Sequence, residues 1–444
     1  MAIAEVPGSG KLLGVHYFKG VIYAFRNAID GLSADMYAGD GVGGWQSLKS
    51  GLAPSGRYDF CTYAFQDVEK MYGASGVHPA FEWDGATWTD IITPQDSDTP
   101  EFVIAHRKHL FLSFKNSIQH SGIGDPFSWT ALSGTEERLL NRDCTGFAGL
   151  PNGSLGIFTR SGIILLAGSS PLDWVASNMV EYSNKAGAVP HSIQPLGSQT
   201  LFVDSRGVTS MGASDTSSDM YESIISHDLD DRYRDLWARV VATAVVRAKG
   251  QYRVFFDNGS AVIGTLADGS VMWTEMTIPH AVRCIHSTED NKGNELIYFG
   301  SDDGYVRQME LGTSFDGEPI KAMMQTAPFS ASAKTRVKRW RRIFFDTIST
   351  GLRTLTVRPV YSLEHDTGAT EARHVPEYDG DGAVLNQAVL NQTYLGAGLV
   401  RDGEVGLEGH SEYISLIFQS ESDDEVPWEI DAYTIDYFNG RKRR

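Results

Sequence analysis

Residues 11–25 read KLLGVHYFKGVIYAF, and this stretch decides the fold of most of the chain. Two runs of apolar, aromatic and β-branched residues flank a short turn, which is the pattern of a β-hairpin. Six later stretches repeat it, at residues 57–65, 101–114, 147–159, 193–205, 245–256 and 284–300. The sequence therefore predicts a hairpin unit that recurs along the chain.

The spacing of these hairpins is regular. One marker residue from the second strand of each hairpin gives successive gaps of 40, 48, 46, 45, 52 and 44 residues. These markers are Tyr23, Tyr63, Phe111, Ile157, Phe202, Val254 and Tyr298. A second series has the same period, because Trp45, Trp88, Trp129 and Trp174 follow one another at 43, 41 and 45 residues, and Trp273 comes 99 residues later.

A period of about 40–50 residues with four short strands per unit is typical of a β-propeller blade. We therefore predict an all-β protein with a β-propeller of about seven blades. A large sandwich or barrel would also contain many short strands, but it does not explain one tryptophan per unit. The period stops after Gly312, and alternating strand patterns follow it. The predicted domains are a propeller over residues 1–320 and a C-terminal β-sandwich over residues 321–444.

One segment interrupts the strand pattern. Residues 214–237 place apolar side chains at helical spacing, and Ser217 and Ser218 precede Glu222 as a loose N-terminal cap. The sequence predicts a helical insertion here. It serves either as a connection between blades or as a projecting contact element for another protein.

Composition narrows the class of protein. The 444 residues include 46 glycines and 11% aromatic residues, which is typical of a globular, turn-rich chain. The net charge of −18 opposes binding to phosphate backbones and anionic lipids, and it is uneven, because residues 1–330 carry −14. The apolar stretches are too short for a membrane span, and no secretory signal is recognisable, so we expect synthesis in a cytosol.

No catalytic or cofactor motif is present in the sequence. Nucleotide-binding, esterase, zincin and EF-hand patterns are all missing, and the three cysteines are far apart. The segment WDGATW at 83–88 only approaches the repeated turn of sialidase-like glycosidases. His106 and His109 fall in a predicted hairpin at 101–114, where their spacing sends them to opposite faces rather than to one metal. We expect no enzyme activity, no metal and no cofactor.

A basic run stands out against the acidic background, and it is our candidate subunit interface. Its members are Lys334, Arg336, Lys338, Arg339, Arg341 and Arg342. The alternation of basic and other residues predicts a strand with these cations on one face. The run either protects an exposed edge strand by charge or docks on an acidic surface, such as the propeller of a neighbouring copy. A nucleic-acid patch ranks third.

Several stretches in order carry a family resemblance. They are YRVFFDNGSAVIG, MWTEMTIPHAVRCIHS, ELIYFGSDDGYVRQMELGTSFDGEPI, VKRWRRIFFDTIS and the terminal WEIDAYTIDYFNGRKRR. Together they resemble the tail nozzle or hub proteins of short-tailed bacteriophages, also called packaged-DNA stabilisation proteins. The likeness spans most of the chain, although residues 214–237 fit it less well.

The resemblance implies a structural virion protein without catalytic residues. Such proteins form a ring, usually of six copies, below the portal and adaptor of the virion tail, and tail fibre or spike proteins are further expected partners. Double-stranded DNA is retained behind the ring and passes through it at ejection without sequence-specific binding. An acidic lumen suits that role, since it repels the duplex. The alternative is a protein-binding or glycan-binding propeller module.

Overall fold

A computed structural model gives the fold of this chain. It describes residues 2–40, 43–168, 170–171, 173–174, 179–184, 187–213, 220–267, 270–312, 314–331, 334, 336–349, 352–361, 373–378, 403–420 and 428–442. The chain divides into two compact units, at residues 2–310 and 311–444.

The first unit consists of seven antiparallel sheets of four strands each, counted over the described residues. Blade 1 contains β2 (Ser9–Phe18), β3 (Val21–Asn27), β4 (Ala34–Gly39) and β5 (Trp45–Leu52). Blade 2 contains β6 (Asp59–Ala64), β7 (Glu69–Ala74), β8 (Ala80–Trp83) and β9 (Trp88–Ile91). Blade 3 contains β10 (Phe102–His106), β11 (His109–Phe114), β12 (Ser117–His120) and β13 (Glu137–Leu139). Blade 4 contains β14 (Cys144–Gly149), β15 (Leu155–Thr159), β16 (Gly162–Leu166) and β17 (Met179–Ser183).

The remaining three blades follow in chain order. Blade 5 contains β18 (Gln194–Leu196), β19 (Gln199–Asp204), β20 (Gly207–Ala213) and β21 (Met220–Ile224). Blade 6 contains β22 (Val240–Val246), β23 (Gln251–Phe256), β24 (Ser260–Ala267) and β25 (Ser270–Thr277). Blade 7 contains β26 (Val282–Glu289), β27 (Glu295–Ser301), β28 (Tyr305–Gln308) and, from the start of the chain, β1 (Ala2–Glu5).

Strand β1 closes the ring of blades. It pairs antiparallel with β28, so that the fourth strand of the last blade comes from the beginning of the chain. The Val6 amide continues this pairing with a hydrogen bond of 3.0 Å to the Gly304 carbonyl. This pairing ties the start of the chain to its last blade, so that the ring of blades opens only if the β1–β28 hydrogen bonds break; like the other blades, blade 7 keeps short edge strands.

The core lies between the blades. Each pair of successive blades shares one apolar cluster, and a cluster that includes Leu12 and Cys284 joins blade 7 to blade 1. Alternate residues of one strand serve two clusters: Tyr23 and Phe25 of β3 face blade 2, whereas Ile22 and Ala24 face blade 7. A strand buried on both faces needs a continuous apolar run, which is why the hairpins are recognisable in the sequence.

The periodic tryptophans pack between blades, as their spacing predicts. Trp45, Trp88, Trp129 and Trp174 each join the cluster that their blade shares with the preceding one. Trp45 and Trp88 begin the fourth strand, whereas Trp129 and Trp174 lie in the connection just before it. Trp129 and Trp174 are buried, and the other two are half-buried.

The second unit is a β-sandwich of two sheets. One sheet has the order β29 (Ala322–Gln325), β34 (Ser415–Ser420), β31 (Leu352–Val360) and β32 (Arg373–Tyr378). The other has the order β33 (Gly403–Ser411), β30 (Arg336–Ser349) and β35 (Trp428–Lys442). Trp340 and Ile343 of β30 pack against Val357 of β31 and Phe418 of β34. The predicted fold class, a propeller followed by a sandwich, is confirmed.

The predicted helix at 214–237 is wrong in its central part. Met220–Ile224 is strand β21, because its backbone pairs with β20 and completes blade 5. Pairing with a sheet edge that lacks its fourth strand overrides the local helical spacing. Helical turns follow only at His227–Leu229, α1 (Asp230–Tyr233) and Trp237–Arg239. Residues 214–219 lie outside the described part of the chain.

Among the described residues, four short 3₁₀ turns and the one-turn helix α1 join the strands, two of the 3₁₀ turns within blades and the others between blades 5 and 6. Besides those near α1, Ala131–Ser133 and Arg247–Lys249 form 3₁₀ turns. Within the described residues, the structure contains no helix with the length and apolar character needed to span a membrane.

Candidate functional site: the basic strand and the propeller axis

Strand β30 carries five of the six predicted cations, Lys334 lies just before it, and the strand lies in the centre of its sheet. It pairs with β33 on one side and with β35 on the other. The interpretation of an exposed edge strand is therefore wrong, because both edges of β30 already have hydrogen-bonded neighbours. Protection against unwanted strand pairing does not explain these cations.

The cations do not share one face of the strand. The register with β35 shifts between Arg336 and Lys338 and again between Trp340 and Arg342, and each irregularity resets the alternation of side chains. Lys338 consequently lies on the buried side with Trp340. Its Nζ donates to the Glu412 carbonyl oxygen at 2.9 Å, and the Trp340 indole donates to Ser411 Oγ at 2.8 Å. Burial lowers the pKa of Lys338.

Arg341 and Arg342 contact acidic side chains within their own sheet. Arg342 donates to Glu404 at 2.9 Å and to Asp436 at 3.2 Å, and these hydrogen bonds raise its pKa. Arg341 lies 3.7 Å from Asp436, and its guanidinium lies 5.0 Å from the centre of the Phe438 ring. Two of the six predicted interface cations are thus largely neutralised in place.

Lys334, Arg336 and Arg339 form a different group, which we call the free cations. All three are exposed, and none has an ion pair among the described residues. Arg339 is the cross-strand neighbour of Phe438, whose side chain is 56% exposed. An arginine beside an exposed aromatic ring is a combination common in protein interfaces.

Along the axis of the propeller, the first strands of successive blades contact one another. His16 of β2 lies where blades 7, 1 and 2 meet, with its ring centre 4.1 Å from that of His286 and its Nε2 3.1 Å from Thr62 Oγ1. Burial lowers the pKa of His16, and His286 lowers it further. Burial also lowers the pKa of His286 to about 4. Both imidazoles are therefore neutral at physiological pH.

The hairpin predicted at 101–114 is confirmed as β10 and β11, but the faces of its histidines differ from the prediction. His106 and His109 are directly opposed across the two-residue turn, and opposed residues of an antiparallel pair share one face. The centres of their rings lie 6.4 and 5.0 Å from that of Trp174, so both imidazoles pack against this indole. Among the described residues, no group of three or more His, Cys, Asp or Glu is placed to hold a metal.

The three cysteines are structural. Cys144 and Cys284 are buried, and Cys61 is half-buried against the cluster between blades 2 and 3. Burial raises the thiol pKa of all three, to about 12 for Cys144, so that each remains a protonated thiol.

Asp84 of the WDGATW segment accepts hydrogen bonds of 2.7 Å from the amides of Ala86 and Thr87 and so shapes a hairpin turn.

Comparison of the chain with models of protein families and with curated proteins finds no match.

Proposed function

We propose that this chain is a structural virion protein of the tail nozzle or hub type, which assembles into a ring of six copies at the end of a phage tail. The ring retains packaged DNA and lets it pass during ejection, and the neighbouring partners are the portal, adaptor and fibre or spike proteins. Copy number, partners and place in the virion come from the family resemblance of the sequence.

One observation supports assembly in particular: the free cations are exposed on or just before strand β30 of the sandwich, while residues 1–330 carry a net charge of −14. A basic patch and an acidic region on the same chain favour head-to-tail contact between copies. Such heterologous contacts close into rings. The central position of β30 supports the docking interpretation over charge protection of an edge.

The acidic character of the propeller supports the conduit. Phosphate groups are repelled by an excess of carboxylates over a screening length of about 8 Å at physiological salt. DNA therefore slides past such a surface instead of adhering to it.

The test reverses two free cations, in the variant R336E/R339E. The unmodified protein is expected to form rings, visible by negative-stain electron microscopy and by light scattering, and the variant to remain monomeric with an unchanged circular dichroism spectrum. Arg342 is left intact, because a glutamate there would face Glu404 and Asp436 within the same sheet.

The matched control is K108E/K292E, which makes the same change in net charge at exposed propeller turns. Rings are expected to persist in this control. Ring formation by R336E/R339E equal to that of the control would refute the role of the free cations. A persistent monomer of the unmodified chain, at all concentrations and with phage tails, would refute the proposed function.

A second candidate function, a protein-binding propeller module, has one observation in its favour. Ile123, Phe127, Leu132 and Leu139 in blade 3 expose large apolar side chains within a stretch of 17 residues, and Leu132 is fully exposed. Clustered apolar exposure is typical of a binding surface. A persistent monomer that loses binding to a partner upon L132S/L139S would favour this candidate.

A further inference from the structure

A cavity of about 320 Å³ opens at the end of the propeller axis where the first strands begin. Blades 1, 2, 5, 6 and 7 contribute the residues that precede or start those strands, and blade 4 contributes the turn residue Arg160. A concave site of this size, built from several blades, accommodates a small ligand.

The lining of this cavity is basic in an acidic protein. Lys11, Arg57, Arg160 and Arg283 contribute to the wall, together with His191, and no carboxylate is among the described lining residues. These four cations come from four different blades. Three of them have an acid nearby that does not line the cavity: Asp302 is 3.5 Å from Arg283, Glu101 is near Arg160, and Asp59 is near Arg57.

Arg57 has unused hydrogen-bonding capacity. It donates to the carbonyl oxygens of Leu13 and Val241, both at 3.4 Å, which is at the long limit for a hydrogen bond, and it also contacts the Cys284 thiol. Since a guanidinium has five N–H donors and Arg57 is only half-buried, its further donors are able to bind an acceptor in the cavity. The Nε of Arg283 is enclosed by protein, so Arg283 contributes its charge to the cavity and not this donor.

We propose that this cavity binds a small multivalent anion of the phosphate class. Tetrahedral oxyanions supply several acceptor oxygens at once and match the forked donors of arginine. The volume admits a phosphate, a pyrophosphate or a compact tricarboxylate. A DNA duplex is too wide to enter.

The experiment is isothermal titration calorimetry of the full chain with inorganic phosphate, pyrophosphate and citrate at constant ionic strength. Binding of one phosphate or pyrophosphate per chain is expected, and R57Q and R283Q should each weaken it by about tenfold or more. The conservative variant R283K should restore part of the affinity, because it keeps the charge and loses the fork.

The control variant is R247Q, which removes an exposed arginine at the opposite end of β22 and should leave binding unchanged. Stronger binding of citrate than of phosphate would place the ligand in the carboxylate class and overturn the proposed one. Equal loss in R247Q and R283Q, or no saturable binding of any of the three anions at millimolar concentration, would overturn the site. Circular dichroism and urea unfolding of R57Q and R283Q confirm that the tested variants are folded. If either one is unfolded, K11Q and R160Q, which alter exposed side chains, provide the same test.

Discussion

Removal of the Arg26 guanidinium is expected to loosen the closure of the propeller. Arg26 belongs to β3 of blade 1, and its side chain is only 6% exposed. It donates to the Gly10 carbonyl at 2.9 Å, to the Val6 carbonyl and to Glu5 Oε1 at 3.1 Å. Glu5 and Val6 belong to the closing segment of the chain, so that this one side chain ties the beginning of the chain to blade 1.

The loss of stability depends on whether each carbonyl or carboxylate oxygen that Arg26 leaves can form a hydrogen bond to water instead. Val6 is fully buried, and loss of a charged hydrogen bond to its carbonyl costs about 1.5–3 kcal/mol. Gly10 is exposed, so its carbonyl contributes about 1 kcal/mol, and the pair with the half-exposed Glu5 contributes less than about 1 kcal/mol. We expect R26M to lower the free energy of unfolding by about 3–5 kcal/mol and E5Q by less than about 1 kcal/mol.

Two measurements check this prediction. Urea unfolding gives the change in free energy for each variant, and methionine keeps most of the packing of the arginine stem. Hydrogen exchange of R26M should accelerate by about 10²–10⁴ at the amides of β1 and β28, which should open at a lower free energy than the slowest amides of blade 4. If R26M costs no more than E5Q, or if the amides of β1 and β28 open only at the same free energy as the slowest amides of blade 4, the guanidinium does not secure the closure.

Three further predictions concern the core and its titration. Trp129→Ala should lower the free energy of unfolding by about 3–5 kcal/mol, and Trp88→Ala by less, because Trp88 is half-buried; equal losses in urea unfolding would contradict this. Gly264→Ala should cost about 1–3 kcal/mol, because its Cβ would lie 2.8 Å from the Trp273 ring, whereas Gly149→Ala, with open space around it, should be nearly neutral. The unfolding free energy should fall as pH drops from 6.5 to 4, because His120 and His286, whose pKa values burial lowers to about 4, bind protons in the unfolded state first. Asp59, whose pKa burial raises to about 6, opposes this trend over part of the range, and H120Q should remove about 3 kcal/mol of the pH dependence; an unchanged pH profile would refute the contribution of His120.

The hairpins were predictable because each second strand is buried on both faces. A strand such as β3 must be apolar at successive positions, and that requirement is visible over seven residues without knowledge of its neighbours. The seven-fold count followed from the same local signal repeated at a regular spacing. The prediction of a helix at strand β21 was wrong, because Met220 and Ile224 also fit a helical period. The choice between helix and strand depends on the edge of β20, whose backbone pairs with these residues.

Strand β30 shows that alternation of residue types in the sequence does not by itself predict on which face of a strand each side chain lies. The sequence places six cations in nine residues, but irregular pairing with β35 turns Lys338 toward the core, and Arg342 meets Glu404 and Asp436 from strands 62 and 94 residues away. Side-chain direction after a bulge depends on the partner strands, which the local pattern does not contain.

The sequence by itself determined the all-β class, the blade period and the apolar positions between blades, since these arise from contacts within a hairpin and from burial repeated at each unit. Only the tertiary structure decided the closure by β1, which cations of the basic run stay free, and the basic cavity at the axis. Lys11 and Arg283 line that cavity together although 272 residues separate them. Ring closure brings such positions together, and no pattern within a short stretch of sequence records that proximity.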